Sequence, residues 1–205
     1  MQTELYTNDM HTYTAKIFTI PELTGISQKQ IEVHLGLYQG YVKHVNLLQE
    51  QIQTLTQTDA TAYAYSIENL RRRLGWEFNG MRMHEFYFPQ FEGGPKAPSL
   101  DSHFMHAINE TFGSWDGFVQ MYSKVCLTRG PGWAILAQDR ETKALHITWT
   151  TEHELGTLAD CAILLAGDMW EHAFMVDFVP ADKAKHVAAF LQNINWSVIA
   201  SRFLS

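Results

Sequence analysis

Between Ile31 and Leu48, apolar side chains recur at steps of three and four: Ile31, Leu35, Tyr38, Val42, Val45 and Leu48. That spacing predicts one long helix with a single buried stripe. Ser27 followed by Gln30 resembles a capping box and opens the helix, expected through "QKQIEVHLGLYQGYVKHVNLLQEQIQTL". "TQTDATAY" reads as a polar turn, and a second long helix follows through "YSIENLRRRLGWEFNGMRMHEFYFPQF", ending near Pro89. Two long helices joined by a short turn make an antiparallel hairpin. The first ~25 residues read as an extended arm broken by Pro21 and Gly25.

"EGGPKAPSL" (92–100) is the one clear linker. Beyond it, "LDSHFMHAINETFGSWDGFVQMYSKVCLT" predicts one or two helices. Two β-prone apolar runs around the polar turn "DRETK" predict a β-hairpin. "DCAILLAGDMW" reads as a third strand and "DKAKHVAAFLQNINWSVIASRF" as helix. The expected fold class is α+β: an N-terminal antiparallel helical hairpin, then an α/β domain with a small three-stranded antiparallel sheet. The expected division is 1–92 for the arm and hairpin and 99–205 for the C-terminal α+β domain.

Hydrophobic residues make up 46% of the chain and charged ones 18%, too apolar for disorder. A formal net charge of −7 argues against generic nucleic-acid binding. No apolar run approaches the ~18 residues of a membrane span. The N-terminus lacks the basic start and apolar core of a signal peptide. Cys126 and Cys161 form no CxxC and no disulfide framework, so they read as reduced thiols and the expected compartment is cytoplasmic. His11, His103, His106, His146 and His186 stand among polar neighbours and are expected at the surface.

"DMWEHAF" (168–174) demands a chemical explanation. Asp168, Glu171 and His172 follow the apolar run "CAILLAG" directly, and ionised carboxylates are rarely buried unless paired or metal-bound. One reading is a strand leaving the core for solvent. The other joins Asp168 and His172 to His34 and His84, each close to the apolar face of its helix. Three imidazoles and one carboxylate would suit iron, manganese or zinc better than calcium or magnesium.

From about residue 17 to 203, the chain resembles the iron/manganese superoxide dismutase family. "DMWEHAFMVDF" resembles that family's signature, "VHLGLYQGYVKHVN" its first-helix motif and "FNGMRMHEFYF" its second-helix motif. "RGPGWAIL" is similar to the glycine-tryptophan strand beside the metal, and "NINWSVIASRF" to the closing helix. The resemblance implies one iron or manganese ion per subunit, held between the two domains by His34, His84, Asp168 and His172. It implies dismutation of superoxide to dioxygen and hydrogen peroxide through M(III) and M(II) states. The histidines are neutral and Asp168 brings one negative charge. Proton uptake by the solvent ligand on reduction would therefore keep the charge of a dry site constant.

The resemblance also implies a homodimer, or a tetramer built from it, with Glu171 bridging to the ligand histidine of a second copy. Trp133 and Trp170 would wall the pocket, a role compatible with plain core packing. The family's outer-sphere group, a glutamine or histidine bound to the metal's solvent ligand, has no match four residues before His84, where Gly80 stands. His153 in "TTEHELG" resembles the histidine type, and Gly80 is expected to leave space for its imidazole.

Two positions depart from the family. Most members carry a histidine four after the first ligand and a tyrosine eight after it. Here position four is Tyr38 and the next tyrosine, Tyr41, is seven away. Seven residues of α-helix return to nearly the same face, whereas eight do so only with a π-bulge. The expectation is a helix without that bulge and Tyr41 facing the metal. Three after the last ligand, a tyrosine that would bond the missing histidine across the interface is Met175 here. Losing both ends avoids an unpaired buried group, which costs about 1–3 kcal/mol. The basic residue that steers superoxide has no direct match; Lys183 or Lys185 could take its place. Two other functions fit the same residues: a dismutase-like metal-binding or structural protein without turnover, and a zinc hydrolase.

Overall fold

Ser27 has extended backbone and its hydroxyl accepts from the Gln30 amide, starting helix α1, Gln28–Asp59, in a computed structural model that describes residues 11–204. Only half of the capping box forms, because the Gln30 side chain bonds elsewhere. α1 is continuous α-helix and runs four residues into the expected polar turn, to Asp59. The Thr56 and Thr58 hydroxyls donate back to the carbonyls of Ile52 and Thr54, which keeps "TQTD" helical. Asp59 then accepts from the amides of Thr61 and Ala62 and turns the chain. α2 covers Ala64–Tyr87 and passes into a short 3₁₀ turn, Phe88–Phe91, containing Pro89.

The region after the linker gives two helices, α3 (His103–Phe112) and α4 (Trp115–Cys126), each opened by a serine side-chain cap. Strands β1 (Trp133–Asp139), β2 (Leu145–Thr150) and β3 (Cys161–Asp168) form an antiparallel sheet ordered β2-β1-β3. β1 lies in the centre, pairing Trp133 with Thr150 on one side and with Asp168 on the other. Gly132 (φ 153°) precedes it, and a Cβ there would run into the Thr150 carbonyl oxygen. Helices α5 (Lys183–Asn193) and α6 (Trp196–Ser201) close the chain.

β3 is an edge strand, and side chains complete it where a fourth strand would stand. Gln90 both donates to the Ala166 carbonyl and accepts from the Ala166 amide, each at 2.8 Å. Arg202 donates to the Leu164 carbonyl at 2.8 Å. These bonds anchor β3 two residues before Asp168. The arm is tied down as well: Tyr13 exchanges two bonds with the Asn46 side chain, and the Lys16 amide donates to the Tyr38 hydroxyl. Residues 1–10 of the expected arm lie outside the described residues. Among the described residues no helix is long and apolar enough to cross a membrane. Cys126 is buried and Cys161 half-buried, both free.

Candidate metal centre

Three elements deliver four side chains to one point. α1 contributes His34, α2 contributes His84, and the end of β3 with the turn after it contributes Asp168 and His172. One ligand atom from each lies within 4.8 Å of all the others. His34, His84 and Asp168 are fully buried, while His172 keeps 19% side-chain exposure. The imidazole Nε2 atoms of His34, His84 and His172 stand 3.1, 3.6 and 3.1 Å from the same oxygen, Asp168 Oδ2. The other carboxylate oxygen accepts from the Trp170 amide at 2.9 Å.

The tautomer of His84 shows that this cluster is made for a cation. Its Nδ1–H donates to the Gly80 carbonyl at 2.6 Å, so Nε2 carries a lone pair. That lone pair is buried without a hydrogen-bond partner and faces a carboxylate oxygen. Two electron-rich atoms facing each other in a dry site are mutually repulsive unless a positive ion lies between them. Nitrogen and oxygen donors in a three-to-one ratio fit iron or manganese.

Burial alone would push the Asp168 carboxyl up, but the His172 and His34 imidazoles outweigh it and hold the group well below the ordinary carboxylate range. Burial lowers His34, and lowers His84 further with His34 nearby. Asp168, His34 and His84 are therefore held in the deprotonated forms that bind metal.

Around the cluster stands an aromatic shell. Trp133 is fully buried, with its ring 5.2 Å from His84. Trp170 stacks on His153 at 4.9 Å and on His172 at 5.8 Å. His153 is buried, and both its ring nitrogens have protein partners. Trp133 Nε1 donates to Nδ1 at 3.1 Å, which leaves the proton on Nε2 to donate to the Tyr41 hydroxyl at 2.8 Å. The expected direct bond from His153 to a metal-bound solvent therefore needs correction, since Tyr41 already takes the His153 proton. The hydroxyl of Tyr41, whose ring is 5.2 Å from His84, keeps its own proton free to donate.

Gly80 also differs from expectation. A Cβ there would meet Tyr41 Cδ1 at 2.6 Å, so the Tyr41 ring, and not the His153 imidazole, occupies the space. The Tyr38 ring also lies by His84, at 6.2 Å, but its hydroxyl is engaged elsewhere, donating to Glu85 and accepting from the arm, and burial pushes it up to about 12.

His186 is the clearest correction. Polar neighbours in sequence suggested a surface position, yet it is completely buried, its ring 5.3 Å from Phe174 and its Nε2 donating to the Asp168 carbonyl at 3.3 Å. Position within α5 decides this, since one helical face turns inward whatever its flanking residues are. Glu171 is exposed, as is Met175 at 51%. Lys183 donates to the Thr128 carbonyl and Lys185 pairs with Asp182. Trp76 was missed by sequence reasoning. It packs 4.7 Å from His153 and 5.5 Å from Tyr41, donates to Glu152, and carries the Arg73 guanidinium 3.8 Å above its ring. A tryptophan at the edge of a helix's apolar stripe gives no signal that distinguishes it from core.

The C-terminal half, residues 100–202, matches the family described as iron/manganese superoxide dismutases, C-terminal domain. A protein named "Superoxide dismutase [Fe]" from Cupriavidus metallidurans is 35% identical over 89% of this chain and 90% of its own. The chain belongs to the iron/manganese superoxide dismutase family. Proteins of the same name from Saccharolobus solfataricus and Aquifex aeolicus are each 30% identical, over 83% and 88% of this chain and 82% and 85% of their own. Family membership supplies the cofactor, one iron or manganese ion per subunit, for which the three imidazoles and Asp168 form a suitable cage.

Acid should loosen the metal-free protein before any carboxylate titrates. Burial lowers His153 and His186 from 6.5 to about 4 in the folded state. The unfolded chain therefore takes up protons that the folded chain refuses. The stability these groups contribute is present above pH 6.5 and is lost as pH falls towards about 4. Urea midpoints of the metal-free protein should be level from pH 8 to 7 and fall steadily from pH 6.5 to 4.5. A level midpoint across the lower range would contradict the burial of neutral imidazoles.

Proposed function

We propose that the chain is a superoxide dismutase whose metal is held by His34, His84, Asp168 and His172. The single observation that carries this reading is the convergence of one ligand atom from each on a common point within 4.8 Å. The net reaction takes two superoxide ions and two protons to dioxygen and hydrogen peroxide. A bound iron or manganese ion would supply the redox chemistry by alternating between its +3 and +2 states. Zinc has no such step, so a zinc-loaded form should be inert towards superoxide. Iron is the first ion to test, because the relatives above carry it in their names.

The chain's own residues account for the rest of the chemistry. Asp168 gives the site its one negative charge, and three neutral imidazoles leave that charge unchanged. Trp133, Trp170 and Trp76 keep bulk water from the cage, which strengthens every electrostatic interaction inside it. Tyr41, oriented by the His153 Nε2–H, presents a hydroxyl proton beside the cage. Burial first, and then the negative charge of Asp168, raise Tyr41 well above its ordinary value, so it works as a neutral donor. This puts proton delivery on Tyr41 and orientation on His153. Purified protein should contain iron or manganese and consume superoxide. Metal without turnover would favour the metal-binding or structural reading, and zinc with hydrolysis the third.

The same reading includes a homodimer in the cytoplasm, with Glu171 of each copy facing His172 of the other. The exposure of Glu171 beside a ligand histidine that is itself partly exposed supports it. Sedimentation at micromolar concentration should give a dimer, and Glu171→Ala should shift it towards monomer while weakening metal retention. A wild-type monomer under those conditions would refute the assembly.

A further inference from the structure

The first turn of α1 is bonded to the loop that carries His172. Gln30, one helical turn before His34, is 1% exposed. Its Nε2 donates to the His172 carbonyl at 2.6 Å and its Oε1 accepts from the Val176 amide at 3.0 Å. Beside it, the Ser27 amide donates to Asp177 Oδ2 at 2.7 Å. The backbone bonds of residues 173–178 otherwise stay within the turn itself, running to Trp170, Glu171 and Phe174. Within the turn, Ala173 and Phe174 are buried, while Met175 and Val176 next to the Gln30 bond are 51% and 47% exposed and supply little packing. Among the described residues, the hydrogen bonds between α1's first turn and this loop are those of Gln30 and Ser27.

We propose that Gln30 is a positioning residue that sets His172 against the metal from within its own subunit. The proposal rests on the ligand assignment above and deepens it. An amide is the group the site requires. It offers a donor and an acceptor on neighbouring atoms, and the loop presents one carbonyl and one N–H to them. A glutamate at the same place would keep an acceptor for Val176 but set a carboxylate oxygen against the His172 carbonyl. A leucine would leave both backbone groups unpaired. Because His34 is on the same helix one turn later, Gln30 couples the placement of two ligands. The spacing of His34 and His172 is then fixed before any metal arrives, and partners beyond the ligands typically change metal retention by about 10–100-fold.

The test compares wild-type protein with Gln30→Leu and Gln30→Glu, each loaded with iron. Metal release is followed under an excess of chelator, together with the visible absorption of the ferric protein and the melting temperatures with and without metal. Both variants should release iron about 10–100-fold faster than wild type and show an altered ferric band. The rise in melting temperature on metal binding should shrink. A merely structural role would lower the melting temperatures of both forms equally and leave that rise intact, which would overturn the proposal. Wild-type release rates in Gln30→Glu would overturn it too, because that variant lacks the donor to His172. If the wild-type protein itself holds no iron or manganese, the ligand assignment fails and the proposal with it. If wild type holds iron and the variants hold it equally well, only the positioning role fails.

Discussion

Asp168→Asn should leave a folded chain that holds no stoichiometric iron or manganese and consumes superoxide at the background rate. The amide matches the carboxylate in shape, and its Oδ1 can still accept from the Trp170 amide. What changes is the atom facing three imidazoles at 3.1–3.6 Å: a neutral NH₂ replaces the only negative charge of the cage. Partners one shell further out are worth about 10–100-fold in affinity, so loss of the anionic ligand should exceed about 100-fold. The metal-free variant should be less stable than metal-free wild type near neutral pH, since the His172 and His34 imidazoles more than offset the burial of the carboxylate and the amide loses that attraction. Elemental analysis and a superoxide-consumption assay on one preparation check the first half, and urea unfolding the second. Retained metal with retained activity would show that Asp168 is not a ligand.

The second large effect belongs to a residue that touches no ligand by hydrogen bond. His153→Ala should keep its metal and fold yet lose about 10–100-fold in turnover, the range for groups that orient the surroundings of a metal. The truncation removes the donor that orients the Tyr41 hydroxyl and the acceptor for the Trp133 indole. Leaving that indole unpaired and buried costs about 1–3 kcal/mol, which lowers the melting temperature without emptying the cage. His153→Gln should recover part of the rate, because one amide can accept from Trp133 and donate to Tyr41. Tyr41→Phe should match the loss in His153→Ala, and the double variant should be little worse than either, since both act through one hydroxyl. Full activity in His153→Ala would remove the orienting role of His153, and full activity in Tyr41→Phe would remove Tyr41 from proton delivery.

The cage was legible in the sequence because its geometry follows from elements that periodicity predicts. His34 and His84 lie at the apolar faces of two long helices, and Asp168 ends an apolar strand, so folding the hairpin against the sheet gathers them. Tyr41 was legible only beside the family's first-helix motif, with seven residues of helix returning it to the side of His34. What the sequence hid were choices among side chains that compete for one space. Gly80 invited an imidazole, but the neighbouring helix filled the gap first with the Tyr41 ring. His186 stands among charged residues in sequence and faces inward only because α5 packs on that side. Gln30 looked like half of a capping box, and its amide instead spans to residues 172 and 176, a partnership no local pattern can encode. Thr56 and Thr58 read as turn formers, yet their hydroxyls found carbonyls one turn back and prolonged the helix.

The central claim is that one metal ion, held by His34, His84, Asp168 and His172, carries the turnover of superoxide. Its most direct test is to strip the protein of metal, add back iron or manganese in steps, and measure superoxide consumption against metal bound per chain. Activity should be near zero in the stripped protein, rise in proportion to occupancy and level off at one ion per chain. Activity that persists without metal, or a chain fully loaded with either ion that leaves superoxide untouched, would contradict it.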